Sequence, residues 1–176
     1  MTRLFISAIL LLTLTVPSFA TDLTLNNTPA QVYFSPHGGC TDAIVREIGK
    51  AKSEILVQAY SFTSKEIAKA LVDAHKRGVR TEILLDKSNR KGKYSAADFT
   101  AHMGVTTYID PAHAIAHNKI MVIDKETVIT GSFNFTTAAE NKNAENVIIL
   151  KNKDLAKIYI ANWEKHRGHS DRYEGK

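Results

Sequence analysis

The chain has 176 residues, 44% hydrophobic and 23% charged, with 23 Lys and Arg against 18 Asp and Glu for a net charge of +5, and one cysteine. A composition this close to the globular average excludes a disordered, collagen-like or coiled-coil chain. A single cysteine excludes an intramolecular disulfide framework and an all-cysteine metal cluster, and the length fits one domain with a real core.

Arg3 is the only charge in the first 20 residues. An apolar run over 4–16, broken by Pro17 and followed by Ser18-Phe19-Ala20, reads as a signal peptide cleaved after Ala20. The run is too short to span a bilayer, which takes about 20 apolar residues, so no stable membrane anchor is expected. The mature domain is then 21–176, in the periplasm or outside the cell. In that oxidising setting Cys40 reads as a small buried residue at a helix entrance, with no catalytic role.

Residues 31–34 form a short strand and 36–39 a turn. Thr41 or Asp42 caps a helix to about Lys50, with Ile44, Val45 and Ile48 on one face. EILVQAY, 54–60, is a buried strand by its β-branched and aromatic content. Thr63 and Glu66 read as a capping box for a helix that carries Ile67, Ala70, Leu71 and Ala74 and stops at Gly78. A strand follows over 79–85, then a basic loop, a helix from Ser95 to near Gly104, and a strand over 105–109. Residues 118–123 and 127–130 make a hairpin around Asp124-Lys125-Glu126. Residues 146–150 add a strand, and 154–166 a final helix with Leu155, Ile158, Tyr159 and Trp163 on its apolar side. Strands alternating with helices predict the α/β class: a single-domain α-β-α sandwich on a mixed, largely parallel central sheet.

Chemistry concentrates in His117-Asn118-Lys119 and Gly131-Ser132-Phe133-Asn134. Side chains alternate along a strand, so His117 and Lys119 share a face, as do Ser132 and Asn134 if extended. The hairpin can set the two pairs side by side. A cationic Lys makes this a poor metal site, and no metal ligand is assigned. It is a good anion site: Lys, Asn and Ser donate hydrogen bonds, and His can attack phosphorus or carry a proton.

The pattern H-x-K-x4-D-x6-G-S-x-N, filled by His117, Lys119, Asp124, Gly131, Ser132 and Asn134, resembles the signature of the phospholipase D superfamily. Glu145-Asn146 is similar to the acidic element that follows it. With the leader and the short mature chain, the likeness is to the superfamily's small secreted bacterial endonucleases, over nearly all of 21–176. The resemblance implies phosphodiester hydrolysis in two steps through a phosphohistidine. One motif histidine is the nucleophile, and a second protonates the leaving oxygen and then activates water. It also implies that Lys119 and Asn134 hold the phosphoryl oxygens, that Ser132 belongs to the catalytic set, and that Glu145 orients His117. Asp124 ranks below these, as a turn residue.

Larger members carry the motif twice in one chain, and here no second H-x-K occurs. The second histidine must come from another copy, which predicts a homodimer with one composite site on its axis. Two ammonium groups there would supply charge that a metal gives other phosphodiesterases, so no cofactor is expected. Lys87, Arg90, Lys91 and Lys93 form a basic loop at the carboxyl edge of the sheet, suited to a polyphosphate backbone. The expected substrate is DNA, with RNA beside it; a secreted phospholipase D and a noncatalytic nucleic-acid-binding module are the alternatives. No sequence-specific DNA-reading motif is present. Among other histidines, His113 is close enough in sequence to line the cleft, while His75 suits a helix end and His166 and His169 a polar tail.

Overall fold

The computed structural model describes residues 21–92 and 95–176; the expected leader and Lys93 lie outside them. In chain order the elements are β1 (Ala30–Ser35), α1 (Cys40–Lys50), β2 (Glu54–Ala59), α2 (Lys65–Lys76), β3 (Arg80–Asp86), a 3-10 turn (Lys87–Arg90), α3 (Ala97–His102) and β4 (Thr106–Asp110). Then come β5 (Lys119–Ile123), β6 (Thr127–Gly131), α4 (Thr137–Asn141), β7 (Glu145–Lys151), α5 (Lys153–Arg167) and β8 (Asp171–Tyr173). All eight strands join one sheet in the order β1-β7-β6-β5-β2-β3-β4-β8.

The α/β class and the mixed sheet are as read, but the share of parallel pairing is smaller than expected. Only β2–β3 and β3–β4 are parallel, and every other pair is antiparallel. The physical reason is the connections: α2 and α3 carry the chain across for the parallel pairs β2–β3 and β3–β4, whereas a tight turn reverses the chain between β5 and β6, and the edge strands β1 and β8 pair antiparallel with strands distant in the sequence.

β2 is buried at all six positions, as a strand covered on both faces must be. Ile55, Val57 and Ala59 face the larger core with Ile44, Ile67 and Leu71 from α1 and α2. Leu56 faces a smaller one with Leu84, Ile120, Val122 and Trp163 of α5. The Trp163 indole is buried and donates from Nε1 to the Val57 carbonyl at 2.9 Å, so it is core, as its spacing implied.

Two caps differ from expectation. α1 begins at Cys40 behind Gly39, whose φ of 76° suits glycine. Its first amides are capped from a distance: the Glu140 carboxylate accepts from the Gly39 N–H at 3.2 Å and the Thr41 N–H at 2.7 Å. Cys40 is fully buried and free, and burial pushes its thiol up to about 11, an inert state. For α2 the cap is Ser64, one residue later than Thr63: its hydroxyl accepts from the Ile67 N–H at 3.3 Å and donates to Glu66 at 2.9 Å. The amides of Thr63 and Ser64 both donate to the Phe135 carbonyl, which holds Thr63 out of the helix.

The β5–β6 turn puts Asp124 and Lys125 at φ of 53° and 57°, closed by the Glu126 N–H on the Ile123 carbonyl at 3.1 Å. This is the doubly positive-φ hairpin turn usually given to Asn-Gly. The Asp124 carboxylate offsets the strain, accepting from the amides of Lys52 (3.0 Å), Ser53 (2.8 Å) and Glu54 (3.0 Å) and from the Ser53 hydroxyl (2.8 Å). Burial raises its pKa, but the Ser53 and Lys52 hydrogen bonds prevail and hold it below the ordinary Asp value. Asp124 stands at the far end of β5 from Lys119, about 17 Å away at the usual rise per residue, and leaves the catalytic set. Asp124→Asn is expected to lower unfolding free energy at pH 7 by about 1–2 kcal/mol, without touching turnover of the folded protein. Because the folded pKa is depressed, this contribution is full above the ordinary Asp pKa and fades as pH falls through the folded one. Urea melts of both proteins should therefore converge in acid; a gap that is constant with pH would contradict the assignment.

Candidate active site

β5 lies antiparallel to β2 with Lys119 opposite Ala59, and the Tyr60 N–H continues the pairing onto the Asn118 carbonyl at 2.8 Å. The start of β5 thus sits at the carboxyl end of β2. The end of β6 and the start of β7 meet beside it, Gly131 opposite Val147. His117, Lys119, Gly131, Ser132 and Glu145 are therefore gathered along one edge of the sheet, where α/β sheets present ligand sites.

His117 is exposed just before β5, its ring tilted 52° against Tyr60 with centroids 4.5 Å apart. Lys119 is buried at 8% exposure; its Nζ donates to the His117 carbonyl at 2.9 Å and lies 5.2 Å from the Tyr60 ring centroid. Burial pulls its pKa below the ordinary lysine value, and the nearby Glu145 carboxylate pulls it back up. The ammonium is fixed and partly stripped of water, so an anion entering the site would meet a strong local charge.

Gly131 has a structural necessity: at φ 146° an added Cβ would lie 2.1 Å from the Asn146 carbonyl oxygen. That same carbonyl accepts from the Ser132 and Phe133 amides at 3.2 and 3.3 Å. The Ser132 hydroxyl accepts from the Asn146 N–H at 3.1 Å, so it locks the strand end and keeps its own proton free to donate. The segment after it is held by a bridge between Phe62 and Phe135. Between these anchors the Asn134 Oδ1 is buried without a hydrogen-bond partner among the described residues, a state that buried carboxamides rarely tolerate without a ligand to meet.

Glu145 opens β7 opposite Ser35. Its Oε1 accepts from Asn143 Nδ2 at 3.1 Å, and among the described residues no hydrogen bond joins it to His117. Its charge also acts on Lys119. A cavity of about 460 Å3 opens over His117, Lys119, Thr130 and Gly131, closed on one side by Ile158, Tyr159 and Asn162 of α5.

The basic loop is partly tied down. Lys87 Nζ donates to the His113 carbonyl at 2.8 Å, and Arg90 pairs with Asp171 at 2.9 Å and lies over Tyr173. Lys91 is exposed, and Lys93 lies outside the described residues. Asp86, at the end of β3, accepts from the Ala116 N–H at 2.8 Å, fixing the loop one residue before His117. Sequence reasoning missed Tyr60 and Asp86. Tyr60 ends the EILVQAY strand, but nothing local says which strand lies beside it.

Residues 44–167 match the family model for a cardiolipin synthase, PLD-like domain. A protein of Rickettsia conorii named Phospholipase D is 45% identical over 139 residues, 79% of this chain and 70% of the relative. The crystal structure of Nuc from Salmonella typhimurium, a phospholipase D family member, superposes with a TM-score of 0.81 at 38% identity, covering 85% of this chain and all of that one. NucT from Helicobacter pylori shares the fold, with a TM-score of 0.78 at 18% identity over 84% of this chain and all of that one. A buried ammonium under an exposed imidazole, a strand end that only glycine can make, and this agreement along most of the chain have one explanation: the protein belongs to the phospholipase D superfamily.

Proposed function

We propose that the protein is a secreted, metal-independent phosphodiesterase that cleaves nucleic acid through a phosphohistidine, at a site completed by a second copy of the chain. The observation that carries this reading is the pairing of an exposed His117 with the buried Lys119 ammonium. One can attack phosphorus while the other holds the phosphoryl oxygens.

In the first step a nitrogen of His117 attacks phosphorus and the bond to the leaving oxygen breaks, that oxygen taking its proton from the partner subunit's His117. Water then attacks the phosphohistidine, gives its proton to the partner subunit's His117, and the P–N bond breaks. Imidazole suits both tasks because its two protonation states are close in energy near neutrality. Lys119, the Ser132 hydroxyl and the Asn134 amide, turned to present its NH2, donate to the oxygens as charge builds on them. Glu145 orients His117 once it exchanges its Asn143 partner.

Two features favour a nucleic acid. The chain is basic, at +5 with a sequence pI near 9.3, and Lys91 adds an exposed cation in the loop after β3. No helix among the described residues is long and apolar enough to cross a membrane. The second reading, hydrolysis of phospholipid head groups, is favoured by the name of the Rickettsia relative, and it uses the same chemistry. Supporting the dimer are the single H-x-K and the exposure of Ile115, two residues before His117, at 57%.

Plasmid DNA, RNA and phosphatidylcholine assayed side by side should show turnover of DNA, and His117→Ala should reduce it by about a thousandfold or more. Turnover of lipid alone would replace the substrate, and undiminished cleavage by His117→Ala would remove the nucleophile.

Excess EDTA, with the protein assayed well below its melting temperature, should leave the wild-type rate unchanged. A loss that Mg2+ restores would overturn metal independence.

Sedimentation should give a dimer. Heterodimers of wild-type and His117→Ala chains, purified by two tags, should be inactive, since each site needs both imidazoles; a fully active monomer would end the shared-site reading.

A further inference from the structure

Away from the cleft, three histidines converge on one buried carboxylate. Asp110 ends β4 with no exposure. Its Oδ2 is 3.0 Å from His113 Nδ1, 2.9 Å from His166 Nδ1 and 3.4 Å from His169 Nε2. The His113 and His166 rings stack with centroids 4.7 Å apart, and the His169 ring closes the triangle at 5.3 and 5.4 Å. The four candidate ligand atoms all lie within 4.8 Å of one another.

We infer that Asp110, His113, His166 and His169 form a binding site for one divalent transition-metal ion, Zn2+ by ligand type, that fastens the loop carrying His117 to the C-terminal end of the chain. The donor set is three imidazoles and one carboxylate, which suits four-coordinate zinc. With metal–ligand distances of about 2.0–2.2 Å, tetrahedral ligands sit about 3.4 Å apart, so the contacts to Oδ2 are already near the required span. The nitrogens that must draw closer belong to side chains with freedom to move: His113 is 43% and His169 35% exposed.

Hydrogen bonding alone explains the cluster poorly. Oδ1 already accepts from the Ala112 N–H at 2.9 Å, leaving three ring nitrogens aimed at the single oxygen Oδ2, which offers about two lone pairs. A cation among the four atoms would satisfy all of them. On binding, each imidazole coordinates through the nitrogen now facing Oδ2 and carries its proton on the other ring nitrogen, and any excess proton passes to water. The Ala112 amide fixes the carboxylate, and the Ser170 hydroxyl donates to the His166 carbonyl at 2.8 Å, which holds the end of α5 beside it.

The topology says what the ion would do. Asp110 and His113 bracket the start of the 111–118 loop, His166 is in the last turn of α5, and His169 lies just before β8. Four protein ligands leave no open position, which is the arrangement of a structural rather than a catalytic zinc. The site is separate from the phosphohistidine chemistry and does not rest on it.

The test uses the mature full-length protein, stripped with EDTA, dialysed and titrated with Zn2+ alone. The wild type should retain one zinc per chain through gel filtration, and its melting temperature should rise with zinc. His117→Ala should keep both properties while losing cleavage, which separates this site from the cleft. His113→Gln/His169→Gln removes two exposed ligands with little risk to folding, and should bind zinc at least about tenfold more weakly with most of the thermal shift gone. The inference is overturned if the wild type retains no zinc and melts unchanged, if the double variant retains zinc as well as the wild type, or if His117→Ala abolishes binding.

Discussion

The antiparallel contact of β5 with β2, Lys119 opposite Ala59, is the constraint on which the rest of the molecule hangs. It joins two parts of one sheet that differ in character: the parallel, crossover-connected β2-β3-β4 and the antiparallel β5-β6-β7-β1. Because β5 runs against β2, its first residue meets the carboxyl end of the parallel strands. The chain entering β5 and the chain leaving β6 therefore emerge at the same edge. A slip of one residue would turn Lys119 from its face to the other and bury Asn118 in its place, so the register carries the chemistry as well as the packing. Ile120 and Val122 in the α5-side core and Met121 in the opposite one fix that register.

Lys119 shows the energetic tension this creates. Burying an ammonium is costly, and the fold meets the cost with the His117 carbonyl, the face of Tyr60 and the field of Glu145. None of these is a tight carboxylate partner that would neutralise the charge. A tight salt bridge would stabilise the folded chain and spoil the site, since an incoming phosphodiester would have to displace it. The Asn134 Oδ1, without a partner among the described residues, follows the same pattern. Stability is drawn from elsewhere, including the Asp124 carboxylate at the other end of the hairpin.

How much was legible in the sequence follows from the range of the interactions involved. β2, β3, β5 and β7 announce themselves by β-branched runs, and α5 by its spacing, because those signals are local. The His117 and Lys119 pair was legible because the residues sit two apart on one strand. The caps were not: Glu140 reaches the start of α1 from a hundred residues away, and Phe135 decides that Ser64 rather than Thr63 caps α2. α4, of five residues, is too short for a periodic signal, and β8 has only three. Alternating strands and helices overstate the parallel share, because β5 and β6 form a hairpin and the edge strands β1 and β8 pair antiparallel with strands far away in the sequence.

The histidines near the chain end show the limit most sharply. His166 and His169 look like a polar tail, and His113 like a neighbour of the cleft, because sequence offers no reason to link positions more than fifty residues apart. The packing of α5 across the smaller core, fastened by Trp163 to the Val57 carbonyl, carries His166 to the end of β4, where Asp110 waits. Asp86 holds the same loop at Ala116, and Lys87 holds it at His113. In the proposed dimer, each His117 would have to be positioned by its own chain before the partner subunit arrives. A loop tied at Asp110, His113 and Ala116 restricts His117 in advance, so that less conformational freedom is left to lose when the two halves of a site meet.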